Sequence, residues 1–153
     1  MVLGLGNTLL ADDGVGVHIV RRLSADAATP PWIRPVDGGT MGFRLTSLLR
    51  DTGAVLIIDA ADLSAAPGTM RLLDKAALGR HVARTKTSSA HEAGLADLLG
   101  LMRLEDIVPI YLAVLAIQPF VVGWGDRLSA PVEAIVPPAC MMVTACASEW
   151  RHA

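Results

Sequence analysis

Apolar residues fall along this chain in short blocks separated by glycine, proline and acidic residues, and the spacing within each block predicts its element. Val2 to Leu5 is a brief apolar run ending in Gly6-Asn7. After Asp12-Asp13-Gly14 come Val15, Val17, Ile19, Val20 and Leu23, so the opening reads as strand, loop and helix. Asp12 and Asp13 suit the helix start, because a carboxylate there can accept unpaired backbone N–H groups and complement the helix dipole. A second strand fits Trp32 to Val36, leading through Asp37-Gly38-Gly39-Thr40 into a helix ending at about Leu49. Ala54 to Ile58 has the continuous apolar character of a central strand and is closed by Asp59.

Pro67-Gly68 signals a turn, and Thr69 to Leu73 reads as a short strand that can run reversed, since no helix separates it from the third. His91 to Met102 has helical spacing in Leu95, Leu98, Leu99 and Met102, and Val108 to Ile117 forms another buried strand before Gln118-Pro119. A closing helix is expected from about Ser129 to Trp150, with Pro131 in its first turn and a kink or break at Pro137-Pro138. Strands alternating with covering helices define an α/β protein, expected as a three-layer α/β/α sandwich around a mostly parallel, mixed five-stranded sheet. If strand one lies between strands two and three, the ligand crevice opens between strands one and three, where Asp13 leaves strand one and Asp59 ends strand three, with Asp59 and His91 expected as exposed rim residues.

At 153 residues one domain, 1–153, is the expectation, and no repeat or linker argues otherwise. Just over half of the residues (52%) are hydrophobic and 18% are charged, which excludes a disordered chain. The longest apolar stretches, Val108 to Ile117 and the segment after Glu133, fall short of the roughly 20 apolar residues of a membrane span. The N-terminus lacks the basic and apolar regions of a secretory signal, so the expected location is the cytoplasm. A formal charge of −2 with scattered basic residues offers no footprint for nucleic acid. Cys140 and Cys146 would lie about 120° apart on a helix and are read as structural thiols.

The familiar catalytic signatures are missing. No G-x-S-x-G is present; after Gly4 and Gly6 the third glycine of a dinucleotide loop is replaced by Leu9; and His91-Glu92 fails the zincin pattern because Leu95 occupies the last position. What remains is a dispersed set, Asp13, Asp59 and His91, each expected at a strand end or helix start on one side of the sheet. An imidazole with two carboxylates suits a divalent transition metal that keeps positions open for water or substrate. Each has a plainer alternative: Asp13 as a helix cap, Asp59 as a strand terminator and His91 as the first residue of a helix.

With these residues in view the sequence resembles the hydrogenase maturation protease family over nearly its full length. The opening VLGLGNTLLADDGVGVHIV is the most specific block, followed in family order by VDGGTMG, LIIDAADLSAAPGTMRLLD, SSAHEAGLADLLGLM and LAIQP. The resemblance implies an endopeptidase that removes the C-terminal tail of a [NiFe]-hydrogenase large-subunit precursor. Nickel is then supplied by that precursor, and Asp13, Asp59 and His91 match the family's metal-binding positions. Asp37, before Gly38-Gly39 at the end of strand two on the same rim, is a candidate for substrate recognition or for stabilising the turn, and Glu92 and Asp62 are candidate neighbours of the ligands. Two rivals share the same residues: a precursor-binding factor that does not cut, and a metallopeptidase or amidase of related fold with another substrate. The close approach of the N-terminus to the first strand and the Pro137-Pro138 pair depart from the family's usual pattern.

Overall fold

The computed structural model describes residues 1–40, 45–78 and 90–152, with the side chains of 90–94 outside the described set. In chain order the elements are β1 (Val2–Leu5), a 3-10 turn (Asp12–Gly14), α1 (Val15–Ala25), β2 (Pro35–Gly39), α2 (Thr46–Leu49), β3 (Ala54–Ala60), β4 (Met70–Asp74), α3 (Ala90–Leu104), β5 (Tyr111–Ile117), α4 (Ala130–Glu133) and α5 (Val136–His152).

The strands form one five-stranded sheet in the order β2-β1-β3-β5-β4. The pairs β1/β2, β1/β3 and β3/β5 are parallel, and β4 runs antiparallel to β5, so the sheet is mixed as expected. Successive strand residues point to opposite faces, and the two faces carry separate cores. Val2, Leu56 and Ile58 pack with Val15, Ile19 and Leu23 of α1 and with Ala139 and Val143 of α5. Leu3, Val55 and Ile57 pack with Leu49 of α2 and Leu95, Leu98 and Met102 of α3. Continuous apolar runs in β3 and β5 are therefore required, because both sides of these strands are covered.

Several boundaries differ from the sequence reading: β5 starts at Tyr111 and not at Val108, since Val108 and Ile110 are exposed, and three further differences have their own physical reasons. β2 starts at Pro35 instead of Trp32 and takes in Asp37-Gly38-Gly39, because parallel pairing begins where Val2 aligns with Pro35. A proline at the first strand position costs no ladder bond there. The helix expected before Leu49 is the single turn Thr46–Leu49; residues 41–44 lie outside the described set. The closing helix is two helices separated at residues 134–135, ahead of Pro137-Pro138. Those prolines occupy the first turn of α5, where a missing N–H has no intrahelical partner to lose.

The segment Ala130–His152 is long and apolar enough to cross a membrane by length and composition, contrary to the run-length estimate from sequence. Its apolar stripe has another use, since Val132, Ala139, Val143 and Cys146 are packed against the sheet.

Candidate functional site

The crevice forms where the chain reverses direction around β1. From β1 the chain passes through α1 on one face to β2, and then through α2 on the other face to β3. The C-terminal ends of β1 and β3 thus flank a topological switch point. Backbone packs on backbone there because glycine permits it: a Cβ on Gly16 would overlap the carbonyl oxygen of Ile58, and one on Gly6, at φ +115°, would overlap that of Asp13. The 3-10 turn carrying Asp13 is therefore laid directly against the strand ends.

Asp13 and Asp59 are brought to this point, but neither is on an exposed rim. Asp13 is fully buried and Asp59 is 4% exposed. The Asn7 backbone N–H donates to Asp13 Oδ2 at 2.6 Å, so the turn after β1 orients that carboxylate. Asp59 lies inside β3, paired with Ala116 of β5, one residue beyond the Gly4/Ile58 alignment. Burial pushes its carboxyl well above the ordinary range, and the nearby Asp13 charge pushes it further, against a weaker opposing effect of the Ala60 N–H. Two neighbouring buried carboxylates, with Asp59 held well above its ordinary range, are an arrangement that a divalent cation would relieve by removing both the repulsion and the desolvation cost.

His91 lies in the first turn of α3, and its side chain is outside the described residues. Its place along the fold is nevertheless set by the helix. The end of α3 leads into Tyr111, which pairs with Ala54 at the far end of β3. Arg50, just before β3, holds Glu105, just after α3, at 2.8 Å. A 15-residue helix spans about 22 Å, so its start lies toward the Asp59 end of the sheet. Asp59 lies two residues after Ile57 on β3 and so shares its face, toward the α3 layer. Among the described residues no group of three or more His, Cys, Asp or Glu side chains has the arrangement of a metal site.

The expectation that Asp12 and Asp13 cap α1 is corrected. No side chain caps that helix, whose N-cap is Gly14. Asp12, fully buried, instead binds a remote stretch of chain. Phe120 and Val121 N–H groups donate to its Oδ2 at 2.9 and 3.0 Å. Ser129 donates its N–H to Oδ1 at 2.7 Å and its hydroxyl to Oδ2 at 2.7 Å. Burial alone would raise this carboxyl, but the bonds from Val121, Ser129 and Phe120 outweigh it and hold its pKa below the usual value.

Asp37 stands on β2 against α1, the opposite face from Asp59. Its Oδ2 accepts from Arg21 Nε and Nη2 at 3.1 and 2.9 Å, and its Oδ1 accepts from the Gly39 N–H at 3.1 Å. Asp62 bonds the Ser64 N–H at 2.8 Å in the turn after β3, and the side chain of Glu92 is outside the described residues. The sequence reading missed Gln118, whose Oε1 accepts from the Leu63 N–H at 2.7 Å and so holds the loop that follows Asp59. The LAIQP block contained that glutamine, but nothing local in it signals a partner 55 positions away. Cys140 and Cys146 are both free, and burial pushes each thiol up, as fits structural residues.

Fold and crevice together define an α/β protein with a buried acidic pair at the switch point of a mixed sheet. The family model for hydrogenase maturation protease matches residues 17–146, and the chain belongs to that family. It is 33% identical over 150 residues to the hydrogenase 2 maturation protease of Escherichia coli K12, covering 97% of this chain and 90% of that one. The hydrogenase expression/formation protein HoxM of Azotobacter vinelandii is 33% identical over 140 residues, which cover 91% of this chain and 67% of HoxM. Among solved structures, the hydrogenase maturating endopeptidase HybD of E. coli superposes with a TM-score of 0.86 at 34% identity, covering 97% of this chain and 91% of the other. The [NiFe] hydrogenase maturation protease HybD of Thermococcus kodakarensis gives 0.76 at 27% identity, covering 93% and 94%.

Proposed function

We propose that this protein is a cytoplasmic endopeptidase that removes the C-terminal tail of a [NiFe]-hydrogenase large-subunit precursor already carrying nickel. The observation that carries the reading is the burial of Asp59 beside Asp13 at the strand-end crevice of a chain belonging to this protease family. A lone buried carboxylate pair is costly, and a cation delivered by the substrate would offset that cost.

In this reading nickel is part of the substrate. Asp13, Asp59 and His91 complete its coordination, which docks the scissile peptide in the crevice. The metal would supply Lewis-acid polarisation of the peptide carbonyl. The chain's own residues orient the reactants: Asn7 fixes Asp13, Gln118 fixes the loop beyond Asp59, and one carboxylate takes a proton from the attacking water as general base. Asp37, with its side chain 40% exposed, is assigned to contact with the precursor.

The test is to incubate the protein with nickel-loaded and with metal-free precursor and to weigh the large subunit by mass spectrometry. Trimming of the loaded form only is the expected result. Equal trimming of both forms would point to a metallopeptidase of other specificity, and a stable complex without trimming would point to a non-catalytic maturation factor.

A further inference from the structure

The connection from β5 to α4 holds large apolar side chains in solvent. Phe120 is 66% exposed, Val121 45%, Val122 48% and Trp124 90%, and Leu9 of the loop beside it is 57% exposed. Isolated exposed hydrophobics are ordinary, but five on two adjoining loops form a patch.

This patch is fixed in place. Asp12 takes the N–H groups of Phe120 and Val121, and the Asp12 N–H donates to the Val121 carbonyl at 3.2 Å. Gly125 donates to the Leu9 carbonyl at 3.0 Å, and the Ala11 N–H donates to the Gly125 carbonyl at 2.8 Å. The N–H groups of Phe120, Val121 and Gly125 and the carbonyls of Val121 and Gly125 are thus taken up by the 9–12 loop, while the large side chains are exposed. Such a surface offers apolar contact and little hydrogen bonding, which suits an apolar polypeptide segment better than a sugar or nucleic acid. It also lies at the same sheet edge as the candidate site, because β1, β3 and β5 are parallel and the loops that follow β1 and β5 are bonded to each other there. A chain bound at Asp13 and Asp59 would pass alongside it.

The geometry points to the Leu9/Phe120–Trp124 patch as the docking surface for an apolar segment of the polypeptide substrate, outside the bond that is cut. This inference rests on the peptidase reading and names the surface that would select its substrate.

Trp124→Ser combined with Phe120→Ser removes the two largest contacts without touching the core, and Leu104→Ser, 83% exposed at the far end of α3, is the control. With nickel-loaded precursor the double variant should raise KM about tenfold while kcat stays within about twofold, the signature of lost uniform binding. The control should match wild type. An unchanged KM in the double variant, with wild type trimming normally, overturns the docking surface and leaves the peptidase reading intact. If wild type does not trim, precursor affinity measured by titration still decides: about tenfold weaker binding by the double variant supports the surface, and equal binding overturns it. A wild-type dimer in sedimentation that becomes monomeric in the double variant assigns the patch to a second copy and overturns the proposal. So does binding of wild type, but not of the variant, to vesicles of mixed zwitterionic and anionic lipid.

Discussion

At the scale of single residues, Asp13 and Asp59 were legible because each interrupts or follows an apolar run, where an acidic side chain needs a reason. Their burial was not legible, since covering comes from elements distant in sequence. That burial changes what a substitution should do. Asp59→Asn removes an ionisable group whose charged form is disfavoured by burial and by Asp13, so the metal-free protein should become more stable by on the order of 1 kcal/mol while trimming of the precursor is lost. For a chain of this size such a gain reads as about 2–4 °C in Tm. A lower Tm, or trimming at the wild-type rate, would contradict the assignment. The thiols behave differently: Cys140 is half-buried and its pKa is raised by burial, so Cys140→Ala should leave trimming unchanged, with stability altered by about 1 kcal/mol or less. Strong inactivation of a folded Cys140→Ala protein would show that the thiol has been misread.

At the scale of elements, periodicity identified β1, α1, β3, α3 and β5, because each has enough apolar positions to display its period. β2 was misplaced because PVDGG carries no alternation; its parallel alignment with β1, from Pro35 opposite Val2 onward, defines it as a strand. The glycines of the first block mark a packing constraint that no periodicity reports. A Cβ on Gly16 would overlap the Ile58 and Leu5 backbone, so Gly16→Ala should force α1 off the sheet and cost about 2–4 kcal/mol. Gly100 in α3 is the opposite case, with nothing within 4 Å of an added Cβ. Gly100→Ala should therefore stabilise the helix by about 0.5–1 kcal/mol. Denaturant titration of the pair separates the two effects; similar midpoints for both variants would remove the case for backbone-on-backbone packing at α1.

At the scale of the whole molecule, the crevice depends on a connection that sequence reading did not find. Asp12 looked like a helix cap because acidic residues before a periodic run usually serve that way. Its actual partners are Phe120, Val121 and Ser129, 108 to 117 positions later, and such a contact leaves no local pattern. Four hydrogen bonds to one buried carboxylate join the loop carrying Asp13 to the start of α4, which continues into the cover of one sheet face. Asp12→Ala would strand three backbone donors and a hydroxyl and should cost about 3 kcal/mol or more. In a chain of this length that is a fall of about 6–12 °C in Tm. The loss should also be unevenly distributed. Amide exchange at Phe120, Val121 and Ser129 should accelerate far more than at Ile57 or Val114, which remain in the paired centre of the sheet. Unchanged exchange at those three amides, with Tm within about 1 °C of wild type, would mean that the clamp is not what holds the two loops together.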